Sequence, residues 1–398
     1  GMGLDGSTSN SVFYCFNVMK LYEFEGNDLF RKEGILVPSY RLASSPEEAR
    51  EKAEEIGLPV VIKAQILAGG RWVAGGVQTA ESLEQVEEIA RHILSTSIRH
   101  FQVHSVMVTK KVEVKREYYL GVTIDETAGK PIVILSTAGG VSVEEASKAH
   151  PEKVVSRYVS MVKGFPLTEA QRMAREVGLK GGDLMQVAGT LHTLYSIFQK
   201  YDALVAEINP LVQTPRGLYI ALDAKVEIDN SALFRHPELK MNMDDRNFNE
   251  LERKGREIGV TYVEMDGDIG IISSGAGLGM ATIDIVSKQY SPANFLETGG
   301  GISEELLYNV MDLVTQKEGL RAIFINVYGG INPIHEGAKG VVRYMKEHNV
   351  TIPVVAKALG NHQEETWEIF KQNGVHVVDD VSTEKGIELL AQVLEGSK

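Results

Sequence analysis

ALVAEINPLVQTPRGLYIALDAK, residues 203–225, is the stretch on which the reading of this chain turns. Two apolar, β-rich runs, Leu204 to Ala206 and Leu218 to Leu222, flank the segment Gln213-Thr-Pro-Arg-Gly217. Pro215 and Gly217 break any helix there and set a turn, so the spacing predicts a β-hairpin. Glu207 and Asn209 end the first arm, and Asp223 ends the second. Folded back, the arms can bring Asn209 and Asp223 side by side. A hard cation such as Mg²⁺ takes a few oxygens of this kind and keeps its other positions for water and nucleotide phosphates. The same spacing also suits a hairpin whose polar ends simply meet solvent, and only the rest of the chain separates the two.

The chain has 398 residues, long enough for two or three domains with full-sized cores. Its 43% hydrophobic and 24% charged content is that of an ordinary soluble globular protein. No apolar run approaches the ~20 residues of a membrane helix, which argues against a membrane partner. The net charge of -13 argues against a nucleic-acid surface, so anionic ligands must be held by local basic groups and backbone N–H. A single cysteine, Cys15, excludes an internal disulfide framework and a cysteine zinc cluster, and suits a reducing compartment. Residues 1–18 are rich in Gly, Ser and Asn and are expected to be a disordered leader, with Met19 as the functional start and no role for Cys15.

From Leu21 the apolar spacing is helical as far as Gly34, and Ile35 to Pro38 is predicted to be a short strand. Ser45-Pro-Glu-Glu48 is a capping box that starts a helix ending at Gly57. Pro59 to Lys63 is a buried-strand candidate that ends in a lysine, and a cation at the end of an apolar strand needs a reason. The loop Ala68-Gly-Gly-Arg-Trp-Val-Ala-Gly-Gly76 follows. Its glycines let backbone N–H groups approach phosphates, and Arg71 can add a bidentate contact. It lacks the Walker A pattern, and a flexible surface loop explains its composition equally well. Strands at Val106–Val108, 116–125 and 131–136, mixed with helices, predict an α+β first domain over about 19–255.

Beyond residue 255 five short apolar runs recur: 269–273, 293–296, 321–327, 353–356 and 375–378. Each is followed by a turn and a helical stretch, as in βαβ units. A doubly wound parallel sheet over 256–398 is predicted, with ligands at the carboxyl ends of its strands. Ser274-Gly-Ala-Gly-Leu-Gly279 and Gly329-Gly-Ile-Asn-Pro333 stand at such ends. Asn332 suits a helix N-cap and Pro333 the first helical position. The resulting N-terminus can hold an anion, although capping alone explains the sequence just as well.

These motifs together resemble one family. LAGGRWVAGGV (67–77), REYYLG (116–121), STAGGV (136–141), AEINPLV (206–212), LDAKV (222–226), NSALFRHPEL (230–239), SGAGLGMATIDIV (274–286), ANFLETGGG (293–301) and INVYGGI (325–331) are similar to the β subunit of succinyl-CoA synthetase, a succinate–CoA ligase, in the same order. The resemblance covers nearly the whole chain from Met19. It implies an N-terminal ATP-grasp domain followed by a flavodoxin-like CoA-ligase domain. The implied reaction joins a carboxylic acid to CoA at the expense of ATP or GTP, releasing ADP or GDP and phosphate. It implies Mg²⁺, succinate or a related acid such as malate or citrate, and an α subunit that carries a phosphohistidine and the CoA site. A cytoplasmic setting, or a mitochondrial matrix in a eukaryote, goes with it.

By the same resemblance, Lys63, Gly70, Arg71, Trp72, Thr109, Val112 and Glu117 are nucleotide contacts. Asn209 and Asp223 are Mg²⁺ ligands, and Glu207 orients the partner's phosphohistidine. Ser274, Gly330, Ile331 and Asn332 stand on the substrate side. The chain departs from the family at Trp72 and Val73, where Gly and Lys are common, and at Thr109 and Val112. Gly329-Gly-Ile-Asn-Pro-Ile-His-Glu336 replaces the family's GGIVRCD, which bears on the choice of acid. His335 is then either a substrate contact or a first-turn surface residue.

Overall fold

The computed structural model describes residues 18–67, 71, 74–98, 101–239, 246, 248–299 and 301–396. Two compact units divide the chain, Asn17–Asn247 and Phe248–Lys398. Residues 1–17 of the expected leader, Gly70, Trp72 and Val73 lie outside the described residues.

The first unit holds two sheets. A seven-stranded antiparallel sheet runs in the order Val18–Lys20, Ala224–Asp229, Ala203–Gln213, Arg116–Asp125, Lys130–Ser136, Val154–Tyr158, and Tyr219–Ala221 adds to the strand Ala203–Gln213. The helix Gly181–Lys200 lays Leu184, Val187, Leu191 and Leu194 against it at three- and four-residue spacing, the apolar stripe of a core-facing helix. A four-stranded sheet follows the order Tyr40–Ala43, Val106–Lys110, Val60–Ala64, Val77–Ala80. Helices Pro46–Ile56 and Leu83–Leu94 cover one face of it through Ala49, Ala53, Val86 and Ala90. Half of the predicted box forms: Ser45 Oγ accepts from Glu48 N at 3.1 Å, whereas Glu48 Oε2 accepts from Ser44 N at 2.8 Å, one residue before the cap.

Two sequence expectations need correction here. Ile35 to Pro38 is not a strand. Ile35 N turns back to Phe30 O at 2.8 Å to close the preceding helix, and the strand starts only at Tyr40. Val18 is not part of a leader, because it pairs with Asp229 and is buried.

The second unit is a six-stranded sheet in the order Thr261–Glu264, Asn294–Glu297, Ile269–Ser273, Ala322–Gly329, Val354–Gly360, His376–Val378. All five predicted runs are strands and pair in parallel. Thr261–Glu264 was not predicted and joins antiparallel at the edge. The helix Glu250–Glu257, capped by Asn249, also belongs to this unit, which therefore starts before residue 256. Strand order reverses at Ile269–Ser273, and in such sheets ligands bind beyond the strand ends at that point. Among the described residues no helix is long and apolar enough to cross a membrane.

Candidate functional site

The predicted hairpin forms, with a refinement. The strand Ala203–Gln213 pairs with Tyr219–Ala221 through its end and with Ala224–Asp229 through its start. The turn is closed by Thr214 N to Leu218 O at 2.8 Å and Gly217 N to Thr214 O at 2.9 Å. Against the neighbouring strand the register shifts between Ile208 and Leu211, so Asn209 sits where the ladder is broken. There Asn209 N donates to Asp223 O at 3.4 Å, and Leu222 N to Pro210 O at 3.0 Å. Asn209 and Asp223 are therefore neighbours. Their side chains have separate partners. Asn209 Oδ1 accepts from Gly140 N at 3.0 Å and its Nδ2 donates to Val141 O at 3.1 Å.

Asp223 belongs to a cluster of four charges. Lys63 Nζ, near the end of the interior strand Val60–Ala64, donates to Glu23 Oε1 at 2.6 Å and to Leu222 O at 2.7 Å. Arg71 pairs with Glu23 Oε2 at 2.7 Å and Asp223 Oδ1 at 3.2 Å, and donates to Ala64 O at 3.0 Å. Burial opposes the charge on Glu23, but Lys63 and Arg71 outweigh it and hold its carboxyl below the usual range. Burial, and then the Glu23 carboxylate, push Asp223 up to about 6 against the pull of Arg71 and Lys63. The Glu23 side chain is 2% exposed and that of Asp223 35%, so the cluster meets solvent on the Asp223 side. Sequence reasoning missed Glu23. The signal was Lys63, a cation at the end of an apolar strand that required a counter-ion.

Glu207 stands two residues before Asn209 on the same strand. It accepts from Tyr119 OH at 2.9 Å. Gly121 lies opposite Glu207 in the ladder, and a Cβ there would stand 2.5 Å from the Tyr119 hydroxyl, so glycine leaves room for this contact. Burial raises the Glu207 pKa, opposed by Lys225 and Tyr119.

The remaining predicted contacts of this unit fall into place unevenly. Thr109 is buried, with Oγ1 donating to Ser39 O at 3.2 Å, so its side chain is spent on the sheet. Val112 is half-buried in the connection between Val106–Lys110 and Arg116–Asp125. Glu117 heads its strand and lines a cavity of 330 Å³ with Arg116, Tyr118, Thr137, Val177 and Leu179.

In the second unit, Ser274 ties the ends of the two strands at the order reversal: Tyr328 N donates to Ser274 Oγ at 2.8 Å. Gly330 and Ile331 are exposed beyond the next strand, Ile331 by 92%. The capping expectation for Asn332 fails. Pro333 itself is the N-cap of the helix Ile334–Glu347, with φ -73° and ψ 99°. The proline disfavours a helical residue before it, which leaves Asn332 outside the helix. His335 lies in the first turn as expected, but its side chain is only 13% exposed.

The fold and these clusters define an ATP-grasp protein that carries a CoA-ligase domain. A family model described as an ATP-grasp domain matches residues 20–213, and one described as CoA-ligase matches residues 272–388. The chain is 39% identical over 364 residues to the succinate–CoA ligase [ADP-forming] subunit beta of Ignicoccus hospitalis, covering 91% of this chain and 96% of that one. It is 39% identical over 360 residues to the [GDP-forming] subunit beta of Thermus thermophilus, covering 90% and 95%. An ATP citrate lyase from Methanothrix soehngenii, solved with citrate and coenzyme A, is similar in fold alone, with a TM-score of 0.53 at 16% identity over 94% of this chain and 100% of that one. The chain belongs to the succinate–CoA ligase β-subunit family.

Proposed function

We propose that this chain is the nucleotide-handling β subunit of an acid–CoA ligase. The complete enzyme joins succinate or a related carboxylic acid to CoA, converting ATP or GTP to the diphosphate and phosphate. The observation that carries this reading is the cluster of Glu23, Lys63, Arg71 and Asp223 beside Asn209. Four charges held together in a partly buried site are a poor device for stability, since apolar replacements are often no worse. They make sense as a place kept for an ionic ligand.

Lys63 and Arg71 carry the positive charge that nucleotide phosphates need, and Gly70 and Trp72 flank Arg71 in the sequence. Asp223 and the Asn209 amide oxygen would hold Mg²⁺. One anionic and one neutral hard oxygen on adjacent backbone positions fit an ion that fills its other positions with water and phosphate. Bound there, Mg²⁺ supplies charge neutralisation for the phosphates. With Asp223 engaged as a ligand, Arg71 would keep Glu23 as its one carboxylate partner and could meet a phosphate oxygen. Glu23 continues to hold Lys63. Thr109 and Val112, through their backbone, and Glu117 line the path of the nucleoside.

Glu207 receives the imidazole of a phosphohistidine brought by a separate α subunit, which also carries the CoA site. A carboxylate on one ring nitrogen fixes the tautomer and leaves the other free for phosphate. Tyr119 holds Glu207 in one orientation for that contact. Ser274, Gly330, Ile331 and Asn332 form the acid side in the second unit. A cytoplasmic or matrix compartment, where nucleotide and CoA are available, suits this activity.

The test is an activity matrix of acids against nucleotides, run on the chain alone and on the complex with its α subunit. The complex is expected to make succinyl-CoA or a related thioester while the lone chain makes none. Full turnover by the lone chain would overturn the division of labour.

A further inference from the structure

We propose that His335, His362 and Glu365 form a binding site for a divalent transition-metal ion of the Zn²⁺ type. None of the three has a part in the nucleotide chemistry above. His335 lies in the first turn of the helix Ile334–Glu347, His362 is the N-cap of the helix Gln363–Gln372, and Glu365 follows in that helix's first turn. One candidate ligand atom from each residue lies within 4.8 Å of the other two. The imidazole centroids of His335 and His362 are 4.3 Å apart. His362 Nδ1 is 3.3 Å from Glu365 Oε2.

The contacts around His335 suit a ligand. His335 Nε2 rests 3.2 Å from Glu336 Oε1, and Lys339 Nζ backs the same carboxylate oxygen at 2.8 Å. A carboxylate on one ring nitrogen directs the proton there and leaves the lone pair on the other, the arrangement that commonly supports a metal-binding histidine. The other nitrogen, His335 Nδ1, is buried and has no hydrogen-bond partner among the described residues. A buried nitrogen left in that state costs free energy unless something binds it.

The scaffold beneath the three residues is fixed. Gly329 and Gly360 pair at the ends of adjacent parallel strands. Asn361 N donates to Gly329 O at 2.7 Å, and Asn361 Nδ2 donates to Ile331 O at 3.2 Å, so the two loops are tied to each other. Gly360 has φ +110°, and a Cβ there would lie 2.2 Å from Gly329 O, so no other residue permits this approach. His362 follows at φ 57° and ψ 31°, a left-handed conformation that a residue other than glycine adopts at a cost of roughly 1–2 kcal/mol. Such strain recurs where a side chain must be aimed.

Two imidazoles and one carboxylate select a borderline ion over Mg²⁺, which prefers an all-oxygen octahedron. Bonds of about 2.0–2.2 Å place the ligands of a tetrahedral zinc ion somewhat closer than here, within reach of small side-chain rotations. The side chains of His362 and Glu365 are 48% and 51% exposed, which leaves a fourth position open to water or an anion.

The experiment is a Zn²⁺ titration of the full chain against a chelating indicator, with Co²⁺ absorption spectra to report coordination. His362→Asn removes the imidazole but keeps a residue that tolerates the left-handed conformation, and His335→Gln and Glu365→Gln complete the set. Circular dichroism confirms that each variant is folded. The expected result is one tight equivalent in the parent chain, weakened at least tenfold in either histidine variant and less in Glu365→Gln. In the Co²⁺ form, the intense visible bands of a tetrahedral site disappear in His362→Asn. Absence of a tight equivalent in the parent, or the same equivalent retained in folded His362→Asn, would overturn the assignment.

Discussion

The Arg71 guanidinium lies 3.2 Å from the Asp223 carboxylate. The cation proposed to meet a phosphate is thus held by the acid proposed to ligate a metal, so on that proposal each would exchange its partner when the ligand arrives. Arg71→Lys keeps the charge but cannot span Glu23, Asp223 and Ala64 O together. Loss of one charge-assisted hydrogen bond is expected to weaken nucleotide binding about tenfold or more. Calorimetric titration with Mg-ADP and Mg-GDP checks this.

Glu23 neutralises both Lys63 and Arg71 from a side chain that is 2% exposed. Glu23→Gln leaves two partly buried cations short of a counter-ion and is expected to cost about 3–5 kcal/mol of stability. Adding Lys63→Met should recover part of that loss, because it removes one of the stranded charges. Denaturant unfolding of the single and double variants measures both numbers.

Glu207→Gln keeps the size of the side chain and removes the charge proposed to meet a phosphohistidine. Nucleotide affinity should stay within about twofold, while phosphate transfer between histidine and nucleotide slows by at least tenfold, the scale of a lost tautomer-fixing contact. Rapid-quench transfer from the phosphorylated α subunit separates the two effects. Equal transfer rates would remove Glu207 from its role.

Glu33 gives a pH test of the fold. Hydrogen bonds from Lys200 and Tyr201 hold its carboxyl below the ordinary value of 4.5. A depressed folded-state pKa contributes stability above the unfolded value, and that contribution is lost as pH falls below 4.5 through the folded pKa. The parent should therefore exceed Glu33→Gln at neutral pH by about 0.5–1 kcal/mol, discounted because Lys200 is largely exposed. The gap should close in acid. Unfolding curves at a series of pH values follow it.

Much of this was legible in the sequence because its punctuation is strong. Pro215 and Gly217 marked the hairpin, and the recurring apolar runs marked the parallel sheet. The pairing of Asn209 with Asp223 followed from that turn. What escaped depended on contacts across long separations. Glu23 reads as an ordinary acidic residue in a helix's first turn, and only the fold brings Lys63 to it. Thr261–Glu264 is too short and too mixed to signal a strand without its partner Asn294–Glu297. At Pro333 the local rule placed the cap one residue too early, since proline can itself take the capping position.

The central claim is that Asp223 ligates magnesium while restraining Arg71 until nucleotide arrives. Calorimetric binding of ADP with and without Mg²⁺, in the parent and in Asp223→Asn, tests it most directly. Magnesium should strengthen binding in the parent and lose most of that effect in the variant, whose metal-free affinity stays level or rises as Arg71 is released. An equal magnesium effect in both proteins would contradict it.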